Sequence, residues 1–170
     1  MEMMLGMALA LPQFQFLWVG GQEKDLEPWK IRIKEQGIQN VITTSFVSNS
    51  RLPLYQAAGD ILLMPYQNEI AGSSGGNTVT IMSPMKMFDY LASCRTILAS
   101  ELPVLHEILN DHNAVFCPPD DLNTWINTIK ELANNQPRRD KLARQAGKDA
   151  GLYSWKNRAS QTIAKLHNII

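Results

Sequence analysis

The residues best equipped for chemistry lie between positions 72 and 90. Gly72, Ser73, Ser74, Gly75, Gly76 and Asn77 make a glycine-rich loop, and Ser83-Pro84 has the signature of a helix start, with Ser83 as cap and Pro84 in the first turn. Lys86 and Asp89 follow three residues apart. Backbone N–H groups at a helix start have no carbonyl partner, and with the helix dipole they attract an anion, to which Lys86 adds a mobile positive charge. A diphosphate fits that environment. Asp89, one turn on, can accept hydrogen bonds from ribose hydroxyls. The same spacing also describes a surface helix with a Lys–Asp pair worth roughly 0.2–0.5 kcal/mol beside a merely flexible loop, and spacing alone does not choose.

Other reactive side chains are read more plainly. His106 sits in an expected short helix and His112 near a turn, with no nucleophile beside either, so both are expected to be structural or solvated. Trp155, after Ser154, is expected to anchor a helix start in the core. Arg138, Arg139, Lys141 and Arg144 form a basic helix face interrupted by Asp140 and Asp149, read as solvated. Cys94 and Cys117 lie far apart, with no CxxC pattern or His partners, which predicts buried reduced thiols and neither a disulfide framework nor a metal site. Sixteen Lys+Arg balance sixteen Asp+Glu, so no net field gathers nucleic acid or anionic membrane.

These groups must be held by a scaffold, and 170 residues at 45% hydrophobic content suffice for one core. Phe14 to Val19 reads as a buried strand ending at Gly20-Gly21, and Glu23 to Gln36 as a helix stopped by Gly37. The alternation repeats: strand Val41 to Phe46, helix Leu52 to Ala58, strand Ile61 to Pro65. After the glycine-rich stretch come the helix from Ser83, strand Thr96 to Ala99, a short helix Val104 to Leu109 and strand Ala114 to Phe116. Three helices close the chain over Asp121 to Asn134, Pro137 to Ala150 and Trp155 to Ile169. Strands apolar on both faces imply a parallel sheet covered by helices, so the expected class is α/β, a doubly wound, Rossmann-like parallel sheet of about five strands with carboxyl-terminal helices. Ligands of such sheets bind beyond the carboxyl ends of the strands. Met3 to Leu11 is apolar, too short to span a bilayer, and reads as a helix cut from a larger fold.

The run SPMKMFDYLASCRTILASELPVLHEIL resembles the segment SPxKxFEYMAxGxPIVASxxPxxxEI of the carboxyl-terminal domain of family 4 retaining glycosyltransferases of the GT-B fold (glycosyl transferases group 1). FLWVGGQEKDL resembles that family's strand and glycine turn, NVITTSFVSNSRLPLYQAAGDILLMPY its next strand, helix and strand, and NAVFCPPDDLNTW its closing segment. The order and intervals of these pieces cover nearly the whole chain.

The resemblance implies a donor domain binding a nucleoside diphosphate sugar as substrate, with no cofactor and no metal. The parent would be a transferase of hexosyltransferase type in polysaccharide or glycoconjugate biosynthesis, cytoplasmic, touching membrane only through another domain. By the same resemblance Asp89 clamps the nucleotide ribose, one methylene shorter than the family's usual Glu. The backbone at Met85 and Lys86, with Ser83 and Pro84, faces the diphosphate. Phe46 and Val47 contact the nucleobase edge, Leu52 packs below the base, and Gly21 lies in the glycine turn. Three positions depart. Ile81 stands where the family has a first Glu that holds the sugar, leaving that role to the main chain of 72–80 or to Glu69. Cys94 and Thr96 replace the usual Gly and Pro. The family's Arg and Lys that neutralise the leaving diphosphate are expected upstream of Met1, with the first strand and the amino-terminal acceptor domain. The 170 residues are therefore expected to bind a donor without transferring it; a non-catalytic nucleotide-binding module and a fragment of a GT-B sugar epimerase are the alternatives.

Overall fold

The computed structural model describes residues 1–67, 85–157, 159–160 and 163. The elements in order are α1 (Glu2–Ala10), β1 (Phe16–Trp18), α2 (Glu23–Glu35), β2 (Val41–Thr43), α3 (Leu52–Ala58), β3 (Ile61–Met64), α4 (Lys86–Ala92), β4 (Thr96–Ser100), β5 (Ala114–Cys117), α5 (Leu122–Asn134), α6 (Gln136–Ala150) and a 3-10 turn, Gly151–Tyr153. Every strand pairing is parallel, as the two-faced apolar strands imply. The α/β architecture is that expected from the alternation of strand and helix. Among the described residues the strands form two hydrogen-bonded sets, β1-β2 and β3-β4-β5, rather than one continuous sheet.

Side chains alternate across both sets. Leu98 and Cys117 share one core with Phe16, Trp18, Trp125 and Ile129, against which Ile61, Leu63 and Val115 pack, so this core spans both sets of strands. Met64, Ile97, Ala99 and Ala114 point the other way and meet Met87, Leu91 and Ala146 from α4 and α6. The period of two along each strand therefore builds two helix-covered layers. The outer side of the β1-β2 pair is more open: Ile42 is 51% exposed.

Local chemistry fixes the element ends. At the end of α2, Ile38 N–H donates to Ile33 O (3.0 Å) and Gly37 N–H to Lys34 O (3.1 Å), a Schellman closure that requires the left-handed φ of +65° at Gly37. The Asn40 side-chain amide lies 2.9–3.0 Å from the carbonyl oxygens of Ala8, Leu11 and Phe14, tying the exit of α1 to the entry of β2. Asp121 caps α5: Oδ1 accepts from Thr124 N–H (3.1 Å) and Oδ2 from the Thr124 hydroxyl (2.6 Å). Those bonds, the hydroxyl first, hold the Asp121 carboxyl below its ordinary pKa of 3.8. A depressed carboxylate contributes stability above its unfolded pKa and loses it as pH falls through the folded value. Asp121→Ala is therefore expected to lower the melting temperature at neutral pH. Asp121→Asn, which can still cap, is expected to lower it less, and the wild type should converge on the Asn variant at acid pH in calorimetric scans.

Two sequence expectations change. Val104 to Leu109 is a run of turns over 103–108, not a helix, held by i→i+3 bonds such as Leu105 N–H to Leu102 O (2.9 Å) and His106 N–H to Pro103 O (3.1 Å). A segment this short, with Pro103 contributing no N–H, cannot offset helix nucleation. The strands are also shorter than their apolar runs, because ladder pairing stops where the neighbouring strand stops: β1 and β2 pair only from Phe16–Val41 to Trp18–Thr43. Most of the helix expected over 155–169 lies outside the described residues. No described helix is long and apolar enough to cross a membrane.

Candidate functional site

Parallel pairing brings the carboxyl ends of neighbouring strands to one side, and the candidate residues sort onto two parts of that rim. The first part follows β1 and β2. Gly20 and Gly21 both take φ +97°, and Gly20 N–H donates to Thr44 Oγ1 (3.1 Å), joining the two strand exits. A Cβ on Gly21 would lie 3.2 Å from the Leu26 side chain, so this turn sits close against α2. Beyond Thr44 the chain runs out to Phe46, 79% exposed, and to Val47, which is half-buried. Leu52 opens α3 and is also half-buried.

The second part follows β3 and β4. Tyr66, just past β3, has its carbonyl held by the Ser100 hydroxyl at 2.6 Å, and Ser100, fully buried, ends β4. Lys86, the first residue of α4, places Nζ 6.0 Å from the centre of the Tyr66 ring. Lys86 is exposed as a residue, while desolvation around its ammonium lowers its pKa from the ordinary lysine value. Tyr90, on the next turn, is pushed up to about 12 by desolvation, then by the nearby Tyr66 and Asp89. Burial likewise raises Tyr66. Both phenols stay protonated across the physiological range and can donate hydrogen bonds.

Asp89 is exposed on α4, within electrostatic reach of Tyr90. Met85 precedes α4, 57% exposed, and its carbonyl accepts from Phe88 N–H at 3.1 Å. Lys86, Asp89, Tyr66 and Tyr90 thus form one cluster: a cation over an aromatic face, an open carboxylate, and two neutral phenols. A partly desolvated ammonium acts on an anion more strongly than one in bulk water, and an open carboxylate can take paired hydroxyl donors. Among the described residues, no hydrogen bond or ion pair links this cluster to Gly21, Phe46 and Val47. Ser83, Pro84, Ile81, Glu69 and the glycine-rich stretch lie outside the described residues.

Sequence reasoning passed over Tyr66 and Tyr90. The signal for Tyr66 was its position immediately beyond an apolar strand, where parallel sheets bind ligands; no such signal marked Tyr90. His106 accepts the structural reading: it pairs with Glu101 and stacks on Phe116, centroids 4.0 Å apart. Two other expectations are corrected. Trp155 is 75% exposed rather than a core anchor, because the segment leading to it leaves the body of the fold through the exposed 3-10 turn. Cys94 is exposed while Cys117 is buried, since Cys94 sits in the turn after α4 and points toward α6 from outside the core. No group of three or more His, Cys, Asp or Glu residues that could hold a metal occurs among the described residues.

The chain matches the family model described as glycosyl transferases group 1 over residues 5–135. Its fold is similar to that of the sucrose-phosphate synthase of Thermosynechococcus elongatus, with TM-score 0.76 and 18% identity, covering 99% of this chain and 42% of that one. It is similar to Anabaena HepE in complex with UDP and glucose, with TM-score 0.74 and 15% identity, covering 99% and 44%. The carboxyl-terminal domain of the Francisella tularensis group 1 glycosyl transferase family protein LpcC matches at TM-score 0.68 and 16% identity, over 89% of this chain and 77% of that one. The chain spans less than half the length of the first two. No curated protein sequence matches it at a significant level.

Proposed function

The chain belongs to the group 1 glycosyl transferases, and from that membership we propose that it is the donor-binding domain of a retaining glycosyltransferase of GT-B fold, taking a nucleoside diphosphate sugar as substrate. The observation that carries this reading is the cluster at the start of α4, where Lys86 and Asp89 lie beside Tyr66 at the carboxyl end of β3. Lys86 offsets diphosphate charge, growing as the glycosyl bond breaks, and the backbone at Met85 assists it. Asp89 accepts the ribose hydroxyls. Phe46 and Val47 border the nucleobase, and Gly21 lets the chain turn close to the ligand. The similar Anabaena HepE structures in complex with UDP and with UDP-glucose support a uridine nucleotide as first choice.

The same reading assigns acceptor binding to an amino-terminal domain outside these residues, in a cytoplasmic parent enzyme that builds a polysaccharide or glycoconjugate. It also gives the two strand sets a common frame. Among the described residues β1 and β3 each keep one unpaired edge while their side chains share a core, so a further parallel strand inserted between them would join both sets into one sheet. Ile81 favours a second reading, a nucleotide-binding module without transfer, because an aliphatic side chain cannot hydrogen-bond the sugar.

Thermal shift with UDP, GDP and ADP tests binding. A ligand at a hundredfold its Kd stabilises by about 2.7 kcal/mol, which for a chain of this size raises the melting temperature by several degrees. Asp89→Ala is expected to weaken the nucleotide about tenfold, the effect of losing charge-assisted hydrogen bonds worth about 1.5 kcal/mol. If no nucleoside diphosphate stabilises the chain, the donor-site assignment fails.

A further inference from the structure

A concave site that none of Tyr66, Lys86, Asp89 and Tyr90 lines lies between α6 and the turn that leads into β5. It is a cavity of about 440 Å³ lined by three cations of α6, Lys141, Arg144 and Lys148, by Gln145 and Asp149 of the same helix, and by Asn110 and His112 of the turn. The three cations are exposed, and none makes an ion pair among the described residues.

A solvated helix face is the plain alternative, and for Lys148 alone it suffices. Lys148 is in the last turn of α6, where a cation complements the helix dipole. Lys141 and Arg144 lie one to two turns upstream, where that effect has decayed, so the dipole does not account for them. The one acid that lines the cavity, Asp149, is already committed: Oδ2 accepts from Asn113 Nδ2 and Oδ1 from Gln145 Nε2, each at 2.8 Å.

The opposite wall is also built. Asn113 is fully buried; its Oδ1 accepts from Asn110 N–H (2.8 Å), while Asn110 Oδ1 accepts from His112 N–H (2.9 Å). This chain of bonds ties the 110–113 turn to α6 through Asp149. Its lining carries three formal positive charges against one negative in a chain of zero net charge. Asp111 and Asp140, adjacent in sequence to lining residues, do not border it among the described residues.

We propose that this cavity is an anion site for a phosphate group, separate from the donor site, with Lys141, Arg144 and Lys148 as its charged contacts. Arginine matches two phosphate oxygens at once and the flanking lysines add point charges, a combination suited to a phosphorylated small molecule or a phospholipid headgroup.

The test is a titration followed by amide NMR, with inorganic phosphate as probe and sodium chloride at matched ionic strength as control. Phosphate is expected to shift amides of 110–113 and 141–149, and Lys141→Gln/Arg144→Gln/Lys148→Gln, whose changes lie on an exposed face, is expected to bind about tenfold more weakly or not at all. Cosedimentation with phosphatidylglycerol vesicles against phosphatidylcholine vesicles separates the two sources. Retention on phosphatidylglycerol that depends on the three cations identifies a headgroup site, whereas phosphate shifts without vesicle binding identify a soluble phosphate ligand. Because phosphate can also reach Lys86, the titration is repeated in Lys86→Met, where shifts at 110–113 and 141–149 must persist. Absence of both responses, or responses unchanged in the triple variant, overturns the proposal.

Discussion

Trp125→Ala is expected to destabilise the chain by about 3–5 kcal/mol, the range for truncating a buried aromatic to alanine. Trp125 lies in α5 with no exposed surface and sits in the core that Leu98, Cys117, Phe16 and Trp18 also enter. Its loss therefore weakens the contact of both strand sets with α5 at once. The indole also donates from Nε1 to Pro118 O (2.9 Å), closing the segment between β5 and α5, and alanine leaves that carbonyl only the longer bond from Asp121 N–H (3.4 Å). Trp125→Phe separates the two effects: it keeps most of the volume and forfeits the hydrogen bond, a net loss of about 1 kcal/mol plus a smaller packing term. Against a typical total of about 5–15 kcal/mol, the alanine change removes a large share of stability. Urea unfolding followed by circular dichroism measures both variants, and a loss below about 1 kcal/mol for Trp125→Ala would contradict the packing described.

Gly147 and Cys94 are expected to behave as one unit. A Cβ at Gly147 would lie 2.5 Å from Cys94 Sγ, so α6 approaches the turn after α4 too closely for both side chains. Gly147→Ala gains about 1 kcal/mol from helix propensity and loses about 1–3 kcal/mol to overpacking, a net destabilisation. Among the described residues Cys94 is also the single non-glycine residue with positive φ, +52°, a left-handed conformation that costs an L-residue about 1–2 kcal/mol. Cys94→Gly relieves that strain and removes Sγ. In the Cys94→Gly background, Gly147→Ala is expected to become stabilising by about 1 kcal/mol, so the sign of the alanine effect reverses. Equal effects of Gly147→Ala in both backgrounds, measured by denaturant unfolding of the four proteins, would falsify the coupling.

Much of the fold was legible from local signals. Leu52–Ala58 is bounded by its own apolar and proline pattern, and the Gly37 stop and the Asp121 start of α5 rest on capping chemistry confined to a few residues. Parallel pairing was legible because strands such as Ile61–Met64 are apolar on both faces. The turn run at 103–108 was not, because its apolar residues have helical spacing and helix formation depends on length and bonding that spacing does not report. Cys94 read as a buried thiol because cysteines are commonly buried; its exposure follows from a left-handed turn that residue type alone does not reveal.

The candidate site divides along the same line. Residue type and spacing along one helix placed Lys86 and Asp89 one turn apart, and the ordered motifs determined membership of the group 1 glycosyl transferases, since both are properties of contiguous sequence. Three-dimensional packing alone decided that Tyr66 lies under the Lys86 ammonium, that burial and then Tyr66 raise Tyr90, and that His112 lines one cavity with the cations of α6. Those groups come from separate strands and helices. Their distances depend on how side chains fill two shared cores, a collective property that no single segment encodes.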